Sequence, residues 1–465
     1  MKKLAKYLSL LSIFALTTSL FAADASADSS SSVPNPTVTG PIPSVTPGDP
    51  SHDYPFGATN MNLAKIGYVE EEFFVEGEAR QYTLPSLGTG TEMANGNTEY
   101  KTRIVVRRPV DQKDFNGTVL LEWSNVTAGL DIEFDWYLSR DYITRAGYAW
   151  VGVSAQRVGV DRLKVWSDRY QTLDVTDQGK IINDALSYDI YSQVAQALRV
   201  PKGTNPLDGL KVKKIIATGH SQSAGYLARY YNSVHPIHRV IDGFVIRGAS
   251  TPLRKDLDTK IFRTMAETDV SRATSTATIA ASDEQDTENF RRWEVAGTSH
   301  VDLIQRQGYE PTLIRDLGGI TPVESDRPPF SRIPFTYVQN AAYDYMVKWI
   351  DGRVVPPSSP RFTWMADGIT KVRDSYGNAL GGIRLPEHEV PTAVNTGNNS
   401  GPGFERLYGS HEPFDPVTLR RLYPNHGAYV SKINHATNAI LKQGFILQDD
   451  AQLIRDGAAK SLIGK

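Results

Sequence analysis

Short apolar runs alternate with longer amphipathic stretches along the middle of the chain. The runs Thr118–Trp123, 148–154, 215–217, 241–246, Lys260–Ala266 and 292–296 are brief and largely apolar. Such runs predict strands covered on both faces, as in a parallel sheet. Between them, 136–146, 188–199 and 224–231 read as helices, and in 188–199 Ile190, Val194, Ala197 and Leu198 fall on one face. A further amphipathic helix is predicted over 341–350, where Asp351-Gly352 reads as a C-cap. Upstream, 80–84 and 100–106 look like strands of an antiparallel edge. The rhythm predicts an α/β fold, a mostly parallel sheet with helices on both faces and right-handed crossovers. Ligands in such sheets bind beyond the carboxyl ends of the strands.

The pattern fades on both flanks. Lys2, Lys3 and Lys6 followed by the apolar run 8–21 and Ala25-Ser26-Ala27, with Ala23-Asp24-Ala25 a nearby alternative cleavage site, predict a signal peptide over 1–27, too short in its apolar part to span a bilayer comfortably. The stretch 28–60 is rich in Ser, Pro, Thr and Gly and reads as a linker. The globular core is expected over 61–356, and 357–465 as an extension packed on the same domain. Within the extension, 373–403 is rich in Gly and Asn, while 428–444 and 449–461 look helical. The expected destination is export to a bacterial periplasm or medium, with no membrane anchor once the leader is cleaved.

Composition narrows the chemistry. Of 465 residues 40% are hydrophobic and 22% charged, and the formal net charge is −2, which gives no electrostatic case for nucleic acid. There is no cysteine, so disulfides, thiolate metal sites and a cysteine nucleophile are excluded. No glycine-rich dinucleotide loop follows the first strands, and no cofactor is expected.

The candidate chemistry centres on 212–229, VKKIIATGHSQSAGYLAR. A strand, a turn of small residues around Ser221, and a helix make a nucleophile elbow, which lifts the serine hydroxyl off the sheet edge. Such a serine needs a base, and the base an orienting carboxylate. Of nine histidines, His300 directly follows the strand 292–296 and is the expected base. His220, inside the elbow, should turn its side chain away from the nucleophile. His52 falls in the linker, and His235 and His238 follow the elbow helix. His388, His411, His426 and His435 read as surface or capping groups, with His388 or His411 within reach of substrate. The acid should follow Lys260–Ala266. Asp269 is favoured there, with Glu267 its rival. The oxyanion hole should use the backbone N–H of Gln222 and the loop Ser124-Asn125-Val126, with the Asn125 amide a further donor. Trp123, Trp136, Trp166, Tyr170 and Tyr226 read as pocket or core aromatics. Asp131, Glu133 and Asp135 lack a matching histidine set and read as a solvated helix start rather than a metal site.

Several segments together carry a family resemblance: GHSQSAGYLARYYN, LLEWSNV followed by GYAWVGVSAQ, WEVAGTSHVD, and GNALGGIRLP with LYGSHEPFD. From about residue 60 to the end the chain resembles the bacterial alpha/beta hydrolase domain family. That resemblance implies the α/β-hydrolase fold, with Ser221 and His300 matching the family's nucleophile and base, and it assigns the extension to the same domain. It leaves the acid open. The elbow departs from the commoner G-x-S-x-G in carrying Ser223 at its last position.

The expected function is an exported serine hydrolase that cleaves a small-molecule or oligomeric carboxylic ester. An amidase or peptidase using the same residues, and a hydrolase-fold protein that binds a ligand without turnover, are the alternatives. Activity should fall below about pH 6, where an ordinary histidine base becomes protonated.

Overall fold

A computed structural model describes residues 33–94, 96–272 and 284–465. The predicted leader, 1–27, lies outside the described residues. The main sheet comprises β1 (Thr37–Thr39), β2 (Tyr68–Ala79), β3 (Thr98–Pro109), β4 (Thr118–Trp123), β5 (Ala149–Val153), β6 (Lys202–Gly203), β7 (Lys214–His220), β8 (Gly243–Arg247), β9 (Lys260–Ala266) and β10 (Phe290–Val295). Its order is β10-β9-β8-β7-β4-β5-β3-β2-β1-β6. From β10 to β5 every pairing is parallel, and β3 and β2 then join antiparallel. The helices α1 (Phe134–Arg145), α2 (Arg157–Trp166), α3 (Ser187–Arg199) and α4 (Gln222–Ser233) alternate with the strands, and Leu303–Leu317 and Phe335–Ile350 follow β10. The chain is the mostly parallel α/β sheet that its periodicity predicts.

Each central strand is buried along nearly its whole length, which is why β4, β5, β7 and β8 are apolar runs rather than alternating ones. The antiparallel edge differs. β2 reads YVEEEFFVEGEA, so charged that the sequence concealed it, and the predicted strand 80–84 contributes only an isolated bridge at Tyr82. The glutamates of β2 meet arginines of β3. Arg103 contacts Glu72 at 2.8 Å and Arg107 contacts Glu70 at 2.6 Å, both arginines being buried.

Two expectations fail here. The described part of the expected linker, 33–60, is packed on the core: β1 pairs with β2, and Val38, Tyr54, Phe56 and Ala58 are buried. Its few large residues cannot make a core alone, but they fold against a sheet edge that would otherwise be open. The acidic cluster before α1 is likewise buried rather than solvated. Asp131, Glu133 and Asp135 face Arg103 at 3.7 Å, Arg107 at 2.6 Å and Arg247 at 3.3 Å. The head of α1 is also met from β4, where Glu122 accepts the N–H groups of Asp135 and Trp136 at 2.9 Å each. Those donors have no partner within the helix, so a buried acceptor substitutes for water.

The extension joins the same hydrophobic core, to which Ile383, Leu385, Val390, Tyr408, Ile433 and Ile454 belong. Helices span His426–Gln443 and Gln448–Lys460, close to the predicted ranges, and a two-stranded sheet pairs Ala393–Thr396 with Ser410–Pro413. Among the described residues no helix is long and apolar enough to cross a membrane.

Candidate active site

Ser221 stands between the last residue of β7 and the first of α4 with φ 59° and ψ −116°, a backbone conformation that costs free energy for a non-glycine residue. The neighbourhood holds it there. Its N–H donates to Arg247 O at 2.8 Å, and its carbonyl accepts from Gly225 N–H at 3.0 Å. A Cβ on Gly219 would stand 3.0 Å from Leu227 Cδ1 and 3.1 Å from Ser223 Oγ, a crowding that a glycine avoids. Ser223 clips the turn shut. Its hydroxyl donates to His220 O at 3.0 Å and accepts from His220 N–H at 3.1 Å. The departure from G-x-S-x-G thus serves as a local latch.

His300 lies beyond β10, and Asp269 beyond β9. The imidazole Nδ1 is 2.5 Å from Asp269 Oδ1, and Asp269 Oδ2 accepts from Ala266 N–H at 2.8 Å. The His300 main chain is fixed from two sides, its N–H donating to Thr268 Oγ1 at 3.2 Å and its carbonyl accepting from Arg247 at 3.3 Å. With Nδ1 facing a carboxylate, Nε2 is the ring nitrogen left for another partner. Glu267, the rival acid, is turned elsewhere. It accepts from Gly297 N–H at 2.8 Å and from Arg373 of the extension at 2.6 Å.

Ser221, His220, His300 and Asn125 line one cavity of about 710 Å³. His220 does not turn away from the site as its place in the elbow suggested. Its ring packs on that of His300, with centroids 4.2 Å apart, and meets Phe134 at 5.0 Å. Burial, with Arg247 and His300 close by, holds His220 well below the usual histidine range, so it is a neutral wall. Gly248 runs beneath the histidine–carboxylate pair; a Cβ there would lie 2.9 Å from His300 Cε1 and 3.2 Å from Asp269 Oδ2.

The expected oxyanion donors are partly spent. Asn125 gives its backbone N–H to Ile132 O at 3.0 Å, so that donor is already engaged. One amide hydrogen goes to His220 O at 2.8 Å, and the second remains. Gln222 N–H stands at the head of α4, ahead of any intrahelical acceptor, while its side chain is engaged with Gln156 and Val126.

The expected pocket aromatics lie in the core. Trp123 stacks on Tyr191 and meets Tyr226, Trp136 packs on Trp150, and Trp166 packs against Tyr54 and Tyr170. The cavity walls come instead from Phe134, Tyr309, Phe404 and Tyr408. Phe404, Leu407 and Tyr408 belong to the extension, which is tied in by Val301 N–H donating to Leu407 O at 3.0 Å. Nothing in the local pattern of 404–408 announces a pocket wall, since that role depends on which surface the segment folds back upon. The remaining histidines stay outside the cavity. His388 is buried against Ala379 O at 2.9 Å, His411 bonds Asn395 at 2.9 Å, and His426 bonds Ile463 O at 2.9 Å. His52, read as a linker residue, stacks on Trp166.

Solved structures similar to this chain are hydrolases at low identity. Esterase Est22 shares 13% identity over 56% of this chain and 82% of its own, with a TM-score of 0.32. An α/β serine hydrolase without a lid from Xanthomonas campestris shares 10% over 53% and 97%, with a TM-score of 0.30. An α/β serine hydrolase homologue from Coxiella burnetii shares 13% over 47% and 90%, with a TM-score of 0.30. A comparison with curated proteins found no match. The family model described as "Alpha/beta hydrolase domain" matches residues 38–456, nearly the whole described chain, and the protein belongs to that family.

Proposed function

We propose that the protein is an exported serine hydrolase that cleaves a carboxylic ester through an acyl-enzyme on Ser221. The observation that carries this reading is that Ser221, on its strained turn, and the Asp269-bound His300 line one cavity. His300 Nε2 takes the Ser221 proton as Oγ attacks the ester carbonyl, and Asp269 holds the tautomer and the imidazolium. The oxyanion rests on Gln222 N–H and the second amide hydrogen of Asn125. Collapse passes the proton from His300 to the departing alcohol. Water, deprotonated in turn by His300, cleaves the acyl-enzyme and frees the acid and Ser221. Every proton moves between protein, substrate and water.

The test compares wild type and Ser221→Ala on short p-nitrophenyl esters and with a fluorophosphonate label. Ester turnover and labelling in wild type, both lost in the variant, are expected; equal turnover in both would reject the reading. The apolar leader pattern supports export, and N-terminal sequencing of the mature protein should find it beginning at Asp28.

A further inference from the structure

The cavity is apolar through most of its depth, walled by Leu130, Ile132, Phe134, Leu313 and Ile320. Among the described residues that line it, Arg306 alone carries a permanent charge. A guanidinium does not come cheaply to such a wall, because burying a charge requires partners for its N–H groups. Arg306 is 8% exposed and sits one turn into the helix Leu303–Leu317, which starts just after His300. Its Nε donates to Glu310 at 2.8 Å, and Nη1 reaches the Tyr309 hydroxyl at a long 3.3 Å. Nη2 has no hydrogen-bond partner among the described residues. Glu310, only partly buried, neutralises the outer side of the group. The Phe330 ring, 5.9 Å from the guanidinium carbon, and the Tyr309 ring at 5.5 Å flank it.

A line of rings connects this group to the reacting centre. His300 packs on His220, His220 on Phe134 at 5.0 Å, and Phe134 on Tyr309 at 5.6 Å. Ser221 and the under-bonded cation of Arg306 thus line the same cavity, with the rings of Phe134 and Tyr309 between the histidines and the cation. Resting on the ester-hydrolase reading, we propose that the substrate is an ester whose apolar body ends in a carboxylate, and that Arg306 is the residue that selects it. A carboxylate matches the planar edge of a guanidinium and the single positive charge, whereas a phosphate dianion would call for further cations that the cavity wall does not hold.

The experiment pairs each mono-p-nitrophenyl ester of succinic, adipic and suberic acid with its neutral methyl-capped counterpart. Wild type should favour the carboxylate member of at least one pair. In Arg306→Gln the ratio of kcat/KM between the two members should fall by roughly 10- to 100-fold, the scale of one hydrogen-bonded charge. Arg306→Lys should restore part of it. An unchanged ratio in Arg306→Gln, or a wild-type preference for the neutral members, would overturn the proposal.

Suberate binding to the Ser221→Ala protein, measured by calorimetry, separates the two readings. Should no ester be turned over, binding that weakens in the Ser221→Ala, Arg306→Gln double variant upholds the carboxylate subsite while the ester reading falls. No suberate binding, or binding indifferent to Arg306, overturns the subsite.

Discussion

Two groups of serine, histidine and aspartate occur among the described residues, and by side-chain adjacency the second is as well formed as the first. In the first, His300 meets Asp269 at 2.5 Å and shares a cavity with Ser221. In the second, Ser192 Oγ lies 2.6 Å from His238 Nδ1, Tyr82 bridges His238 Nε2 and Asp189 at 2.9 and 2.8 Å, and all are buried. Ser192 sits within α3, bonded also to Tyr188 O and the Tyr230 hydroxyl, at 0% exposure. Ser221 sits on a turn beyond a strand and opens on space. Proximity of the three residue types does not separate the two groups; a strained turn at a strand end, facing a cavity, does. The second group is a satisfied polar knot between the edge segment around Tyr82 and the core helix α3.

Substitutions at the two serines test that contrast most severely. Ser221→Ala should lower kcat by on the order of 10⁴–10⁶. Ser192→Ala should leave kcat/KM near wild type and lower stability by about 1–2 kcal/mol, read from urea unfolding. Equal losses of activity would erase the distinction.

The carboxylates come next. Asp269→Asn should cost roughly 10³–10⁴ in kcat with little change in KM, because the histidine tautomer is lost. Glu267→Gln should act chiefly on the melting temperature, since Glu267 ties Gly297 to Arg373 rather than touching His300. Reversed magnitudes would exchange their roles. A smaller effect is expected of Gly248→Ala. Its new Cβ, at a residue with φ 67°, would push on His300 and Asp269 and should cost on the order of 10² in kcat/KM.

The buried knot has its own signature in acid. Burial, with Arg80 a lesser cause, pushes His238 from 6.5 down to about 4. The native state keeps it neutral, while the unfolded chain takes up a proton below about 6.5. Its contribution is thus full above that pH and is lost as the pH falls toward 4, by roughly 1–3 kcal/mol. His238→Gln, though less stable near neutrality, should show a shallower loss of stability over the same range. An unaltered slope would mean that His238 is not the group that charges on unfolding.

Local sequence is enough to predict the sheet type, the elbow and the loops that carry His300 and Asp269. Those features are local: the apolar runs of β4, β5, β7 and β8, the small residues about Ser221, and a histidine directly after β10 each follow from periodicity or turn chemistry within a few residues. Other features depend on residues far apart in the chain. Asp269 and Glu267 are two positions apart, and which faces His300 turns on Arg373, more than a hundred residues away, claiming the other. The charged strand β2, the acidic residues before α1 and the segment 33–60 look solvent-bound in sequence. Arginines of β3 and β8 and an open sheet edge receive them, so that Glu72, Asp131, Glu133 and Asp135, with Val38, Tyr54 and Phe56 of the segment, are buried. The cavity is of the same kind. Its apolar wall and Arg306 are assembled where the extension and the helix after β10 meet the segment 130–134, and a side chain's exposure is set by what packs against it, not by its neighbours in the chain.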